Sequence, residues 1–424
     1  MVDHVDGRNG RDGGWPRHMV NTVQTYDWGS ELALARLQGR APTGGPEAEL
    51  WMGAHPSAPS ALLDDDGGRT PLDVLLAEDG EQLLGAEVHA AFGPRLPFLL
   101  KVLAIARPLS LQVHPDAERA RAAHADPSLV PGEHRYVDPN PKPELLYALG
   151  PVDALCGFRT AAEAADLLEL LGLGRTAAVV ESLRAGGPET KCLEDALRVL
   201  VTWPEDDRSA LAREVGAAAK RLLATAGPAG VEGALPAAHR RALTWTARLA
   251  RLFPADALVV APLLLDLVRL EPGDTLFVPA GAPHAYLHGL GVEIMSNSDN
   301  VLRAGLTHKT VAVEELLHVV DGDSRPVREV PRVERGDVET VWRPGCPDFQ
   351  LARARLADAA PARLEPLGPG PQVLLATGGS VTVRCEDGGI VTLGPGRSAF
   401  VGADAGALTV TGPGELFRAA ACLD

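Results

Sequence analysis

The sequence contains very little lysine and few aromatic residues. Of its 40 basic residues only five are lysine (Lys101, Lys142, Lys191, Lys220 and Lys309), which leaves 35 arginines, and aromatic residues make up 4% of the chain. A bias of this kind usually reflects genomic base composition. It therefore excludes no chemistry by itself, but it makes any clustering of the five lysines informative.

Paired cysteines and long apolar runs are missing as well. The five cysteines are scattered, with no C-x-x-C pair. This argues against a disulfide framework or a thiolate zinc site and makes the cytoplasm the expected compartment. Residues 1–19 lack the apolar core of a secretion signal, and we expect a flexible N-terminus there. The most apolar stretch, 258–268, is interrupted by Pro262 and Asp266 and is too short to span a bilayer.

The chain also lacks an excess of positive charge. The chain has 56 acidic and 40 basic residues among 424, a formal net charge of −16. An acidic balance disfavours nucleic acid and anionic membranes as partners. With 46% hydrophobic and 23% charged residues, the composition is that of a globular protein, and the length suggests two or three domains.

The chain divides into three segments with different sequence patterns. Residues 20–158 mix short apolar runs with turn residues, which predicts strands. Residues 159–253 begin with a capping box and continue with helical periodicity. From 254 the strands return, and from 331 they are short and separated by glycine-rich turns. We predict a mainly β fold with an α-helical insertion at 159–253, a first barrel from 20–158 and 254–330, and a second barrel at 331–424.

An internal repeat supports two barrels. EPGDTLFVPAGAPH at 271–284 aligns with GPGRSAFVGADAGA at 394–407 at a constant offset of 123 residues. The turn followed by a strand resembles the second motif of cupins, small jelly-roll barrels in which a metal-binding histidine closes that motif. His284 stands at the closing position of the first copy and Ala407 at that of the second. We therefore expect two cupin-type jelly-roll barrels, only the first with a metal site.

Four residues form a candidate metal set. Gln112 and His114 lie two apart in an apolar run, so on a strand their side chains share a face. Glu144 and His284 lie in two further predicted strands. Two imidazoles, a carboxylate and an amide oxygen suit a divalent cation, with Zn²⁺ the first choice. A lone histidine in a strand is more often packed or exposed than a ligand, so the surrounding sequence must decide.

Long motifs surround all four residues. The chain resembles the type I mannose-6-phosphate isomerases, zinc-dependent enzymes that interconvert mannose 6-phosphate and fructose 6-phosphate. The resemblance covers about 20–320 and continues more faintly to the end. Its motifs are NTVQTYDWGS at 21–30, ELWMGAHP at 49–56, PFLLKVLAIARPLSLQVHPD at 97–116, YVDPNPKPELLYAL at 136–149 and VPAGAPHAYLHGLGVEIMSNSDNVLRAGLTHK at 278–309.

The resemblance implies one Zn²⁺ per chain, although Mn²⁺ or Co²⁺ suits the same donors. Its ligands carry over to Gln112, His114, Glu144 and His284. One departure stands beside Glu144, where the family usually has N-H-K-P-E and this chain has N-P-K-P-E. The family's histidine has been proposed to help open the sugar ring. Pro141 in its place implies that another group opens the ring or that the open-chain sugar arrives from solution.

Three of the five lysines fall inside these motifs, which indicates a cationic cleft within an acidic protein. Lys101, Lys142 and Lys309 lie there together with Arg303. Such a cleft captures a phosphate dianion through charge-assisted hydrogen bonds, and Ser110 adds a hydroxyl donor. Lys101 lies in an apolar strand, where a charge must be paired or line a cavity. We assign Ser110, Lys101 and Lys309 to substrate and phosphate binding.

Aldose–ketose isomerisation requires a base that moves a proton between C2 and C1 and a group that stabilises charge on oxygen. Arg303 is the candidate for fixed positive charge, because it does not deprotonate. The candidates for the proton shuttle are Glu293, Asp299 and Lys142, and burial would raise the pKa of Glu293. The structural alternatives are an ion pair between Glu293 and Arg303 and a turn role for Asp299.

Tyr286 and His55 are expected to line the substrate pocket. Trp28 and Trp51 are expected in the core rather than as platforms for the sugar.

The sequence therefore predicts a metal-dependent isomerase of mannose 6-phosphate, with a phosphosugar as its partner and a monomer as the favoured state. One alternative is an isomerase of another phosphosugar. The other is a sugar-phosphate-binding sensor, which would need the metal and phosphate groups but no acid–base set such as Arg303 and Glu293.

Overall fold

The computed structural model describes residues 15–64, 66–126, 128, 136–226, 235–323 and 330–423. As predicted, these residues form a mainly β fold with several helices. The strands are β1 Arg17–Val20, β2 Thr22–Gln24, β3 Glu49–Met52, β4 Ala61–Leu63, β5 Arg69–Pro71, β6 Phe98–Ile105, β7 Leu111–Val113, β8 Glu144–Ala148, β9 Val152–Phe158, β10 Leu265–Leu270, β11 Thr275–Val278, β12 His284–Ser296, β13 Leu302–Gly305, β14 Arg332–Arg335, β15 Glu339–Trp342, β16 Gln350–Leu356, β17 Ala362–Leu364, β18 Gln372–Gly379, β19 Val381–Cys385, β20 Ile390–Leu393, β21 Ser398–Val401, β22 Leu408–Thr411 and β23 Gly414–Ala420.

The α-helices pack mainly on the outer surfaces of the sheets. They are α1 Ala33–Leu37, α2 Leu72–Leu84, α3 Ala86–Phe92, α4 Ala117–Ala125, α5 Ala161–Glu169, α6 Ala177–Arg184, α7 Glu189–Val201, α8 Glu205–Thr225, α9 Ala237–Leu252, α10 Ala261–Leu264 and α11 Val313–Val319. Among the described residues, no helix combines the length and apolar character needed to cross a membrane.

The strands form three sheets. One sheet of nine strands has the order β14-β15-β16-β23-β18-β21-β1-β4-β5, and a sheet of four has the order β17-β22-β19-β20. Side chains from both of these sheets fill one apolar core. The third sheet has ten strands, with the path β10-β9-β12-β6-β3-β2 and with β7, β8, β11 and β13 attached beside it. The expected division into two jelly-roll barrels stays a prediction.

Strand β12 joins the two halves of the ten-stranded sheet. Its first residues pair with β7 and β9, and its last residues pair with β6 and β8. The register shifts between Tyr286 and His288, and Gly289 follows with a φ of +138°. A Cβ on Gly289 would lie 2.7 Å from a methyl carbon of Val152, so glycine permits both the bend and the close approach. The bend lets β12 pair with β7 and β9 at its start and with β6 and β8 at its end.

Strand β6 is apolar along its length because both of its faces are buried. Leu100 and Val102 point into the core between the sheets. Leu99, Lys101 and Leu103 point the other way and line a cavity. The period of two in a strand separates these roles, and it places the one charged residue of β6 on the cavity face.

The helical prediction for 159–253 is confirmed at the level of secondary structure, since α5 to α9 lie there. Thr160 caps α5, with its side-chain oxygen accepting a hydrogen bond from the Glu163 amide at 3.2 Å. The apolar faces of these helices share one core with Leu155 and Leu287, which point outward from the ten-stranded sheet. The helical segment therefore packs directly behind the strands that carry the candidate ligands.

Two expectations about the N-terminal part are wrong. Arg17–Val20 forms a strand, so a flexible segment does not extend to residue 19; residues 1–14 lie outside the described part of the chain. Strands β1, β4 and β5, assigned to the first barrel, instead extend the sheet formed by C-terminal strands. Alternation of apolar and polar residues indicates which face of a strand is buried but not which sheet it joins.

The internal repeat has a structural counterpart. Thr275–Val278 and Ser398–Val401 are both four-residue strands, and they are related by the offset found in the sequence. Each follows a turn with a glycine in the left-handed region, Gly273 at φ +103° and Gly396 at φ +69°.

Candidate active site

Three of the four predicted metal ligands converge in the structure. One ligand atom each from His114, Glu144 and His284 lies within 4.8 Å of the others, and all three residues are buried. His114 Nε2 is 3.2 Å from Glu144 Oε1, and His284 Nε2 is 3.6 Å from Glu144 Oε2. Glu144 and His284 are the first residues of β8 and β12, and His114 directly follows β7. Three strand ends therefore bring the donors together.

Backbone carbonyls orient both imidazoles. His114 Nδ1 lies 2.8 Å from the Asn300 carbonyl oxygen, and His284 Nδ1 lies 2.9 Å from that of Ala282. A carbonyl oxygen only accepts, so each Nδ1 carries the proton and each Nε2 keeps its lone pair. His114 Nε2 is fully buried and makes no hydrogen bond to any described atom. A buried acceptor of this kind calls for a cation.

The charge states of the three residues also suit a metal. Burial and the nearby Lys142 lower the pKa of His114 to about 4, and burial lowers the pKa of His284. Burial by itself would raise the pKa of Glu144, but His114 and Lys142 hold it well below its usual range. At neutral pH the set therefore consists of two neutral imidazoles and one carboxylate.

Gln112 lies beside this group. In the strand ladders it is directly opposite His284 on one side and Arg303 on the other. Its side-chain Nε2 is 3.3 Å from His284 Nε2. The two ends of an amide are nearly the same size, so rotation of the side chain would place Oε1 at this position. The combined donor set of two nitrogens and two oxygens fits Zn²⁺.

The metal set opens into a cavity of about 550 Å³. Eleven of the thirteen predicted site residues line it, and the other two are the histidines of the metal set. Those eleven are Ser110, Lys101, Lys142, Lys309, Arg303, Glu293, Asp299, Tyr286, His55, Gln112 and Glu144. The structure therefore brings these eleven residues together around one cavity.

A row of paired side chains forms the floor of the cavity. Lys101 on β6 is directly opposite Trp51 on β3 and Glu293 on β12. Lys101 Nζ lies 3.2 Å from Glu49 Oε2, 3.6 Å from Glu293 Oε2 and 5.0 Å from the centre of the Trp51 ring. Burial alone would lower the pKa of Lys101, but the surrounding carboxylates raise it. The charge of Lys101 is therefore already paired with Glu49, and the Glu293 carboxyl lies beside it.

Glu293 is a buried carboxyl group of raised pKa in the cavity. Burial and the negative charge of Glu144 raise its pKa to about 8, although Lys101 opposes the shift. The hydroxyl of Tyr286 lies 3.4 Å from Glu144 Oε2, and burial and the charge of Glu293 raise its pKa well above the usual value. A carboxyl group that exchanges its proton near neutral pH thus lies close to the metal set.

A second acid–base pair stands at the cavity wall. His55 Nε2 is 3.2 Å from Asp299 Oδ1, and the Ser57 hydroxyl is 2.8 Å from His55 Nδ1. The hydrogen bond from His55 lowers the pKa of Asp299. Lys142 Nζ lies 3.6 Å from Glu144 Oε1. Asp299 is therefore more than a turn residue, since its carboxylate is paired with a buried imidazole.

Unpaired cations lie towards the mouth. Arg303 is half-buried, and no described carboxylate pairs with it, so the alternative of a structural ion pair with Glu293 is wrong. Lys309 and Arg107 are exposed and line the same cavity. Cations without carboxylate partners can bind an anionic group from solution.

Sequence reasoning missed several contributors. Glu49 was not singled out, although it lies two residues before Trp51 on the same strand and therefore on the same face. Trp51 is buried and Trp28 packs against a buried cluster, as expected, and both also line the cavity. Asp138 was also missed. Its carboxylate accepts hydrogen bonds from the Ser298 hydroxyl and the Asp299 amide.

The fold and the donor set define the class of protein. This is a mainly β protein of the metal-dependent class, in which strand ends bring together donors for a divalent cation beside a cavity lined by cationic side chains.

Comparison with known proteins identifies the family. The family model for phosphomannose isomerase type I, catalytic domain, matches residues 17–161. Mannose-6-phosphate isomerase of Escherichia coli is 34% identical over 94% of this chain and 98% of its own length. The rat protein of the same name is 31% identical, over 90% of this chain and 92% of its own. The chain belongs to the mannose-6-phosphate isomerase family.

Solved structures agree with this assignment. A point mutant of phosphomannose isomerase from Salmonella typhimurium matches with a TM-score of 0.84 and 32% identity, over 96% of this chain and 100% of the other. A zinc-bound mannose 6-phosphate isomerase matches over the same shares with a TM-score of 0.83 and 32% identity. The resemblance stated from the motifs is confirmed.

Proposed function

We propose that this chain interconverts mannose 6-phosphate and fructose 6-phosphate with one bound Zn²⁺. One observation carries the proposal: a metal set, a buried carboxyl of raised pKa and unpaired cations share a single cavity. Relatives from Escherichia coli and rat bear the name mannose-6-phosphate isomerase. The proposed substrate is taken from the name of these relatives, and the cavity contains charged and polar side chains that suit a sugar phosphate.

The metal ligands in this proposal are Gln112, His114, Glu144 and His284. When bound, Zn²⁺ supplies Lewis-acid polarisation of substrate oxygens and helps to orient the sugar. The two backbone-anchored imidazoles fix the direction of their lone pairs.

Glu293 is assigned to the proton transfer between C2 and C1. A pKa of about 8 allows its carboxyl to take up and release a proton near neutral pH. Lys101, ion-paired with Glu293, holds this carboxylate on the cavity floor. Lys142 adds positive charge beside Glu144, and Arg303 offers fixed positive charge to the oxygen of the enediolate.

Asp299 and His55 are assigned to ring opening. This step removes a proton from the anomeric hydroxyl and delivers one to the ring oxygen, so an acid–base pair at the wall suits it. The pair compensates for Pro141, which stands where the family usually has histidine. Tyr286 lines the pocket and donates to Glu144.

Phosphate recognition is assigned to Ser110 and Lys309 near the cavity mouth. Charge-assisted hydrogen bonds from these groups suit a dianion. The assignment of Lys101 to phosphate is revised, because Lys101 is paired with Glu49 and lies beside the Glu293 carboxyl on the floor of the cavity.

A substrate panel with zinc content measured on the same sample tests the function. We expect turnover of mannose 6-phosphate above other phosphosugars in protein that holds one zinc per chain. Preferred turnover of another phosphosugar would support the related isomerase instead. Binding without turnover would support a sensor.

Glu293→Gln tests the proposed proton shuttle. We expect turnover to fall by roughly 10²–10⁴-fold with zinc content unchanged, because the amide cannot accept the C2 proton. Glu47→Gln is the matched control, since Glu47 is equally buried but pairs with Arg40 away from the cavity. Near-normal turnover of Glu293→Gln would assign the proton transfer to Asp299 or Lys142.

The proposal extends to organisation and location. We assign residues 20–158 and 254–330, without β4 and β5, to the catalytic unit and 159–253 to a helical insertion. Residues 331–424, together with β4 and β5, are assigned to a barrel without a metal site. A monomer in the cytoplasm is proposed. The support for this compartment is that no disulfide joins any of the described cysteines.

A further inference from the structure

The segment after β13 has an unusual backbone. Arg303 lies on β13, the strand ends at Gly305, and Leu306 then has a φ of +54°. Among the described residues, Leu306 is the one non-glycine residue with positive φ. This region disfavours side chains that carry a Cβ. A contact from elsewhere in the chain must therefore stabilise this backbone conformation at Leu306, three residues before Lys309.

Asp256 provides that contact. Its Oδ2 accepts a hydrogen bond from the Leu306 amide at 2.6 Å, and the Thr307 amide also donates to this carboxylate. Its other oxygen, Oδ1, accepts from the Leu258 amide at 2.8 Å. Three backbone donors from two separate segments therefore meet at one largely buried carboxylate.

Asp256 also links the turn to the helical segment. It follows α9 by four residues, and Leu252 and Phe253 at the end of α9 line the substrate cavity. Helical residues and the turn at Leu306 are thus held together beside the mouth of the cavity.

Close packing supports the same contact. A Cβ added to Gly305 would lie 2.7 Å from the Leu258 Cβ and 3.0 Å from Asp256 Oδ1. Either distance is too short for ordinary packing, so Gly305 permits the strand end to lie directly against Asp256. The turn cannot move without disturbing these contacts.

We propose that Asp256 is a positioning residue for substrate binding: by fixing the Leu306–Thr307 backbone it sets the positions of Arg303 before the turn and Lys309 after it. This inference rests on the proposed function. It adds that the end of the helical segment helps to determine how tightly the phosphate group is bound.

Asp256→Asn tests the proposal, because one oxygen becomes an NH₂ group that cannot accept from a backbone amide. We expect KM for mannose 6-phosphate and the dissociation constant of inorganic phosphate to rise by about tenfold. Zinc content should stay at one per chain and kcat should change less than KM. Hydrogen exchange of the peptide spanning 303–309 should become faster.

Thr160→Ala is the matched control. It removes the cap of α5 in the same helical segment, away from the cavity, so KM and phosphate binding should not change. Gly305→Ala is a second variant, which displaces the turn without removing the carboxylate. Gly305→Ala should raise KM in the same way, and it tests the proposal if Asp256→Asn does not fold.

Unchanged KM and phosphate affinity in a folded Asp256→Asn or Gly305→Ala variant would overturn the proposal and leave Asp256 a structural cap. Loss of zinc, or an equal rise in KM for Thr160→Ala, would also overturn it. Absence of turnover in the wild-type chain would contradict the proposed function alone, since phosphate titration still compares the variants with the wild type.

Discussion

Single residues prepare this site by fixing which nitrogen of each histidine is free. The Asn300 carbonyl holds the Nδ1 proton of His114, and the side chain of Asn300 ties it to the Asp138 segment. The side-chain NH₂ group of Asn300 donates hydrogen bonds to the backbone carbonyls of Asp138 and Asn140. Its side-chain oxygen accepts a hydrogen bond from the backbone amide of Val137. Orientation of a ligand by its hydrogen-bond partners commonly affects metal affinity by 10- to 100-fold.

Asn300→Ala is therefore expected to weaken zinc binding by roughly 10-fold or more, because the carbonyl that orients His114 loses its support. Competition with a chelator measures this dissociation constant directly. Asn297→Ala is the control, because Asn297 lies in the same turn but bonds Leu96 instead. An unchanged zinc affinity in Asn300→Ala would show that His114 needs no such support.

The acidity of His114 predicts how the metal-free protein responds to pH. Its pKa is about 4 in the folded chain against 6.5 for the free side chain. Below about pH 6.5 the unfolded chain binds a proton that the folded chain does not, so stability falls as pH falls towards 4.

Between about pH 7 and about pH 5 this residue lowers the free energy of unfolding by about 2 kcal/mol. Urea unfolding of chelator-treated protein measures the effect, and His114→Gln should show a correspondingly smaller loss. If both proteins lost the same stability over this interval, His114 would not be buried in its neutral form.

At the scale of elements, β6 serves both the core and the cavity. Leu100→Ala should lower the free energy of unfolding by about 2–5 kcal/mol, because it empties part of the core. It should leave KM nearly unchanged, whereas Leu99→Ala, on the cavity face, should raise KM. Urea unfolding and initial-rate kinetics on the two variants test this division. A rise in KM for Leu100→Ala that matches Leu99→Ala would contradict it.

The sequence predicts where many strands and helices lie, but not which sheet every strand joins. Periodicity and caps identify β6, β8 and α5, because they depend on neighbours along the chain. The place of β1, β4 and β5 in the C-terminal sheet depends on pairing between distant segments, which periodicity does not encode.

The candidate site shows the same limit. Motifs indicated the metal ligands, since Gln112 and His114 share one characteristic stretch and Glu144 and His284 each lie in another. The pairing of Lys101 with Glu49 and the contact of Asp256 with Leu306 join separate segments, so they emerge only from the folded chain.

At the scale of the whole molecule, net charge proves to be the wrong measure of substrate preference. The chain carries −16, yet Arg303, Lys309 and Arg107 line one cavity without carboxylate partners among the described residues. Local charge inside a cleft governs binding, whereas the acidic surface disfavours nucleic acid.

The central claim is that this cavity moves a proton between C2 and C1 with zinc bound. NMR of mannose 6-phosphate in deuterated water, with protein assayed for zinc, tests it most directly. We expect fructose 6-phosphate to form with loss of the C2 proton signal, and we expect a chelator to abolish this reaction and zinc to restore it. Protein with one zinc per chain that binds mannose 6-phosphate and leaves the C2 proton in place would contradict it.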